Sequence, residues 1–114
     1  MFGRGSSVGP VNLTLADFER LVSQGGRLLV DFWAGWCPAS QQFMPIFERA
    51  SQRHPDVVFG KVDTEVEKEL SAAMEVTSIP TVMAFHNQSL LYTQAGVHSP
   101  DDLDKLVSAL RRVR

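Results

Sequence analysis

The chain contains a single cysteine, Cys37, and its neighbourhood makes it a candidate nucleophile. An apolar run, Leu28 to Trp33, leads into Trp36-Cys37-Pro38-Ala39-Ser40, where a helical pattern begins. A thiol at a helix start faces unpaired N–H groups, here those of Ala39 and Ser40, and a helix dipole that favours the thiolate. Pro38 presets the first turn without wasting a donor. A free cysteine is often only a small buried hydrophobe, but the helix-start position favours reactivity. Asp31 lies inside the apolar run, where a charge costs several kcal/mol unless it is paired or protonated. It is therefore expected to be buried with a raised pKa, with Lys61 on a neighbouring strand as its candidate partner; the alternative is an edge-facing or ion-paired carboxylate without a chemical role. His54, His86 and His98 share no metal-ligand spacing with one another or with Cys37, and read as structural or solvated. Gly5-Ser6-Ser7-Val8-Gly9 fits the nucleophile-elbow pattern, but that turn must follow a strand, and none precedes residue 5. It is noise.

These residues need a scaffold, and the periodicity supplies one. Thr14 caps a helix over about 15–24, with Leu15, Phe18, Leu21 and Val22 on one face and Gly25-Gly26 as its stop. Residues 28–33 suit a buried strand. A helix runs from Cys37 to about Arg53, with Phe43, Ile46, Phe47 and Ala50 inward and Pro45 kinking it near its middle. A second buried strand covers 57–62. Thr64 and Glu67 match a capping box for a helix over about 65–74, burying Val66, Leu70, Ala73 and Met74. Strands at 81–85 and 90–94, separated by a turn at Asn87-Gln88, should pair as an antiparallel hairpin. Ser99-Pro100-Asp101-Asp102 then opens a last helix that buries Leu103, Leu106, Val107 and Leu110. Arg111, Arg112 and Arg114 suit its C-terminus better than a nucleic-acid patch. With a short strand at 11–13, the strand-helix-strand units and the hairpin predict an α/β fold: a central mixed sheet with helices on both faces. The reading divides the chain into a flexible tail over residues 1–10 and one domain over 11–114.

Composition narrows the function classes. The 114 residues are 44% hydrophobic and 21% charged, an ordinary globular mix. Eleven Lys+Arg against 13 Asp+Glu leave a net charge of −2, which gives no electrostatic reason to expect nucleic acid or an anionic membrane. One cysteine excludes an internal disulfide and an all-cysteine zinc site. Residues 1–10 lack the apolar core of a secretory signal, so the expected location is cytoplasmic and the expected state a monomer.

At this point the chain resembles the thioredoxin family, over about residues 11–113. Trp36-Cys37-Pro38-Ala39-Ser40 stands where the family keeps Trp-Cys-x-x-Cys. Asp31 matches its buried acid, Pro45 its helix-kinking proline, Ile79-Pro80-Thr81 its cis-proline loop, and Ala95-Gly96-Val97 its glycine-containing substrate loop. The resemblance implies a thioredoxin fold and a protein-disulfide reductase that serves redox homeostasis and electron transport without a bound cofactor or metal. Its partners would be disulfide-containing proteins and a flavin-dependent reductase using NADPH. Cys37 would attack, Asp31 would accept a proton from the second thiol, and Lys61 would sit beside Asp31. Trp36, Pro38, Ala39, Ile79, Pro80, Thr81, Gly96 and Val97 would meet the substrate, with Trp36 exposed, Trp33 in the core and His98 close by.

The chain departs from the pattern where it matters most. Ser40 takes the place of the second cysteine, Pro38-Ala39 replaces Gly-Pro, and Gln41 follows where a Lys is common. A dithiol enzyme releases its product when the second thiol attacks the mixed disulfide; this chain can take only the first step. Ser40 is either an engineered change that traps the intermediate or a natural single-thiol form, and the presence of Asp31 favours the first. Two other functions compete: an iron–sulfur carrier in which two chains each give Cys37 to a cluster completed by glutathione, and a non-catalytic module holding peptides on Trp36, Ile79 and Val97.

Overall fold

Residues 9–114 are described by a computed structural model. The Gly5–Gly9 pattern and the expected tail, apart from Gly9 and Pro10, lie outside the described residues. The elements follow in the order β1 (Val11–Asn12), α1 (Leu15–Gln24), β2 (Leu28–Trp33), α2 (Pro38–Arg53), β3 (Val58–Asp63), α3 (Lys68–Ala73), β4 (Thr81–His86), β5 (Ser89–Ala95) and α4 (Pro100–Arg112). The five strands form one mixed sheet in the order β1-β3-β2-β4-β5. β3 runs parallel to β1 and β2; β4 runs antiparallel to β2 and β5.

Strand alternation divides the core in two. Leu29, Phe59, Val82 and Ala84 pack against Phe43, Phe47 and Ala50 of α2 and Leu103, Val107 and Leu110 of α4. Leu28, Val30, Phe32, Val62, Met83 and Phe85 face the other way, against Phe18 of α1 and Leu70 of α3. Helices therefore cover both faces, as the periodicity predicts. Leu13 belongs to the second cluster and lies over Gly60, where any Cβ would run into Leu13 Cδ1; the absence of a side chain at residue 60 lets β1 close on β3.

The caps of α1 and α4 are side-chain devices. Thr14 accepts from the Asp17 N–H and Asp17 accepts from the Thr14 N–H, and Ser99 and Asp102 repeat the arrangement. At the other end of α4, Arg27 donates from Nε to the Leu110 carbonyl and from Nη2 to that of Arg111, each at 3.2 Å. These carbonyls are among those a helix leaves unsatisfied.

The segment before α3 departs from the expectation. The Thr64–Glu67 capping box does not form, and the helix begins at Lys68. Thr64 Oγ1 instead donates to the Trp33 carbonyl at 3.0 Å, and Glu67 Oε1 accepts from the Leu15 N–H at 3.1 Å. Both side chains find tertiary partners that outcompete a local cap. With the first turn lost, Val66 is 70% exposed and Ala73 faces solvent rather than the core. Leu106 is only partly buried. The hairpin strands run slightly longer than predicted, with a register irregularity between Ala84 and Phe85.

Candidate active site

β2 carries the chain to one end of the sheet, and Cys37 follows as the N-cap of α2, with Pro38 in the first turn. Cys37 is buried, with 8% of its surface exposed. As a thiol it donates to the Ile79 carbonyl at 3.6 Å. The Ser40 N–H, and behind it the Ser40 hydroxyl and the Ala39 N–H, hold its pKa below the ordinary value against the burial that pushes it up. Ser40 itself is fully buried, and its Oγ accepts from the Ala34 N–H at 3.3 Å. Its single hydroxyl proton is then free for Cys37.

Two loops border the thiol. Ile79–Pro80 is cis, as the resemblance implies, and ends at Thr81, the first residue of β4. Gly96 has φ 104°, a conformation that favours glycine. Its N–H donates to the Pro80 carbonyl at 2.7 Å, which ties the second loop to the first. Trp36 is 65% exposed on the remaining side, and its Nε1 donates to Glu65 at 3.3 Å. Gln41 turns back to the Gly35 carbonyl at 2.8 Å. Cys37, Ser40, Ile79, Pro80, Gly96 and Trp36 thus share one end of the molecule. Ala39, Ile79, Gly96 and Val97 are half-buried, Pro38 is exposed, and Thr81 is buried.

Asp31 lies deeper, on the face of β2 shared with Leu29 and covered by α2. It is fully buried, and desolvation pushes its pKa up to about 7 despite the opposing pull of Lys61. Lys61, the candidate partner from sequence, acts on Asp31 through space, and no ion pair joins the two. Neither carboxylate oxygen has a hydrogen-bond partner among the described residues. Lys61 stands opposite Asp31 in register, but its ammonium lies 5.6 Å above the Trp33 ring, so cation–π attraction and access to solvent hold the charge away.

His54 and His98 separate as structural groups. His54 bridges Asp104, at 2.7 Å, and Arg111, at 3.0 Å, far along α2 from the thiol. His98 is buried; its Nδ1 donates to the Gly96 carbonyl at 3.0 Å, and its Nε2 accepts from the Tyr92 hydroxyl at 2.8 Å. Glu65 and Tyr92 are the contributors that sequence reasoning missed. Glu65 could have been suspected as an acid following β3; Tyr92 carried no local signal. Among the described residues no group of three His, Cys, Asp or Glu could hold a metal ion, and no helix is long and apolar enough to cross a membrane.

Comparison with known proteins agrees with this geometry. Residues 9–111 match the family model described as Thioredoxin. The chain is 39% identical over 103 residues to the putative thioredoxin 2 of Streptomyces coelicolor, across 90% of this chain and 77% of that one. It is 34% identical over 92 residues to the thioredoxin of Mycoplasmoides gallisepticum, across 81% of this chain and 92% of that one. A solved structure of Plasmodium falciparum thioredoxin aligns with a TM-score of 0.80 at 30% identity, covering 87% of this chain and 97% of that one. A mutant thioredoxin from Halobacterium salinarum gives a TM-score of 0.87 at 23% identity over 98% and 99% of the two chains, a likeness of fold alone.

Proposed function

The chain belongs to the thioredoxin family, and from that membership we propose that it performs thiol–disulfide exchange through Cys37 alone. The observation that carries the reading is the placement of the only thiol as the N-cap of α2, with the Ser40 and Ala39 amides lowering its pKa. The Cys37 thiolate attacks one sulfur of a substrate disulfide. A Cys37–substrate disulfide forms, the substrate S–S bond breaks, and the second substrate sulfur leaves as a thiolate. The Ser40 hydroxyl helps lower the Cys37 pKa but cannot displace the substrate, because a hydroxyl without a base is a poor nucleophile near neutral pH. Release then requires a thiol from outside: its thiolate attacks the mixed disulfide, forms a new disulfide and expels the other sulfur.

Trp36, Pro38, Ala39, Ile79, Pro80, Thr81, Gly96 and Val97 form the proposed docking rim. Asp31, with Lys61 nearby, is the proposed proton acceptor for a thiol at position 40. Disulfide-containing proteins are the proposed substrates, a flavin- and NADPH-dependent reductase is the proposed partner for a two-thiol form, and a reducing compartment such as the cytoplasm is the proposed location. The test is incubation with a disulfide-containing protein. A one-to-one adduct through Cys37 should accumulate until added thiol releases it. Ser40→Cys should abolish the accumulation and begin turnover in an insoluble-disulfide assay. A Ser40→Cys protein that neither turns over nor releases its partner faster would overturn the reading.

A further inference from the structure

The rim around Cys37 is held from behind by a pair of side chains on β5 and the segment that follows it. Gly96, whose N–H already donates to the Pro80 carbonyl at 2.7 Å, has its own carbonyl bonded by His98 Nδ1 at 3.0 Å. A carbonyl can only accept, so the proton of the neutral imidazole belongs on Nδ1 and Nε2 is left as an acceptor. Tyr92 fills that acceptor from its hydroxyl at 2.8 Å. The imidazole is buried, and Phe43 of α2 packs on it with ring centroids 5.9 Å apart. The ring therefore has one tautomer and one orientation. The resulting path runs from Tyr92 through His98 and Gly96 to Pro80, and Ile79 beside it receives the Cys37 thiol.

We propose that His98, oriented by Tyr92, is a positioning residue that fixes the Gly96–Val97 loop against the cis-proline loop so that an extended disulfide substrate can align over Cys37. The inference rests on the thiol–disulfide reading and deepens it. Gly96 has both backbone polar groups engaged inside the protein, so the loop offers a substrate a surface whose position is set before binding. Loss of the His98 donor would leave the Gly96 carbonyl without its partner and let the loop drift. Attack on a substrate that must lie along both loops depends on that alignment. Attack on a small disulfide needs only the thiolate.

The two substrate classes give the test. The rate of mixed-disulfide formation by Cys37 is measured with a disulfide-closed peptide and with a small aromatic disulfide, for the unaltered protein and for His98→Leu, His98→Gln, His98→Asn and Tyr92→Phe. An Asn amide can reproduce the Nδ1 donor, whereas a Gln amide reaches toward the Nε2 position. His98→Leu and His98→Gln should slow the peptide reaction roughly tenfold, the equivalent of one hydrogen bond's alignment, and leave the small-disulfide rate unchanged. His98→Asn should restore the peptide rate, and Tyr92→Phe, which removes only the orienting hydroxyl, should show a smaller loss in the same direction. An equal peptide-to-small-disulfide ratio in every variant would overturn the inference, as would an Asn variant as slow as Leu. Failure of the unaltered protein to form any peptide adduct, with the small disulfide still reacting, would overturn the thiol–disulfide reading itself and this inference with it.

Discussion

Asp31 and Lys61 face each other in register across β2 and β3, yet the carboxylate is left without a hydrogen bond and the ammonium lies over Trp33 instead. The acid therefore carries its burial nearly alone, and its pKa rises to about 7.

That separation sets a pH dependence of stability. An unfolded Asp ionises near pH 3.9, whereas the folded protein keeps its proton until about pH 7. Between those values the native state binds the extra proton, so stability falls as pH rises and levels off above pH 7. The full penalty is on the order of 4 kcal/mol, from about 1.4 kcal/mol for each tenfold between the two values. Asp31→Asn removes the titration. Urea unfolding at pH 4 and pH 8 should show the unaltered protein losing several kcal/mol relative to Asp31→Asn across that interval. A constant difference between the two proteins would contradict the assignment.

Ser40→Ala separates the two ways in which Ser40 acts on Cys37. The Ser40 N–H is the larger influence on the thiol and survives the substitution; the hydroxyl does not. The midpoint of Cys37 alkylation against pH should move up, but stay below that of an unfolded cysteine. The Ala34 N–H also loses its acceptor, so stability should fall by about 1–3 kcal/mol, the cost of a buried donor left unmade. Alkylation rates and urea titrations read the two effects independently.

Gly60→Ala tests how β1 is attached. The new methyl occupies the space of Leu13 Cδ1, and Leu13 is itself buried against the α1 side of the sheet. Overpacking of this kind costs about 1–3 kcal/mol. Leu13→Val in the same chain should recover part of the loss, so thermal unfolding of the four proteins of a double-mutant cycle should show positive coupling.

Much of this architecture is legible without coordinates because its signals are local. Thr14 and Ser99 cap the helices they precede, the 28–33 run is the central strand, and Phe43, Phe47 and Ala50 face inward as their spacing requires. Legibility ends where one side chain has two possible partners. Thr64 and Glu67 have the right types and spacing for a local box, but the fold offers them the Trp33 carbonyl and the Leu15 N–H, the latter 52 residues away. The candidate site follows the same division. Helix-start amides at Cys37 and a raised pKa at Asp31 follow from position and burial. The course of Lys61 over Trp33, Glu65 under Trp36 and the Tyr92–His98 pair depend on side-chain directions that no spacing encodes.

Arg27 and Cys37 stand at opposite ends of β2, and Arg27 holds the last carbonyls of α4. Six residues of strand put roughly 20 Å between the two ends. The C-terminal residues are therefore a handle on the side of the molecule turned away from the sulfur. A protein immobilised through them presents Cys37 outward to the solution, and a second polypeptide fused after Arg114 leaves the approach to the thiol clear.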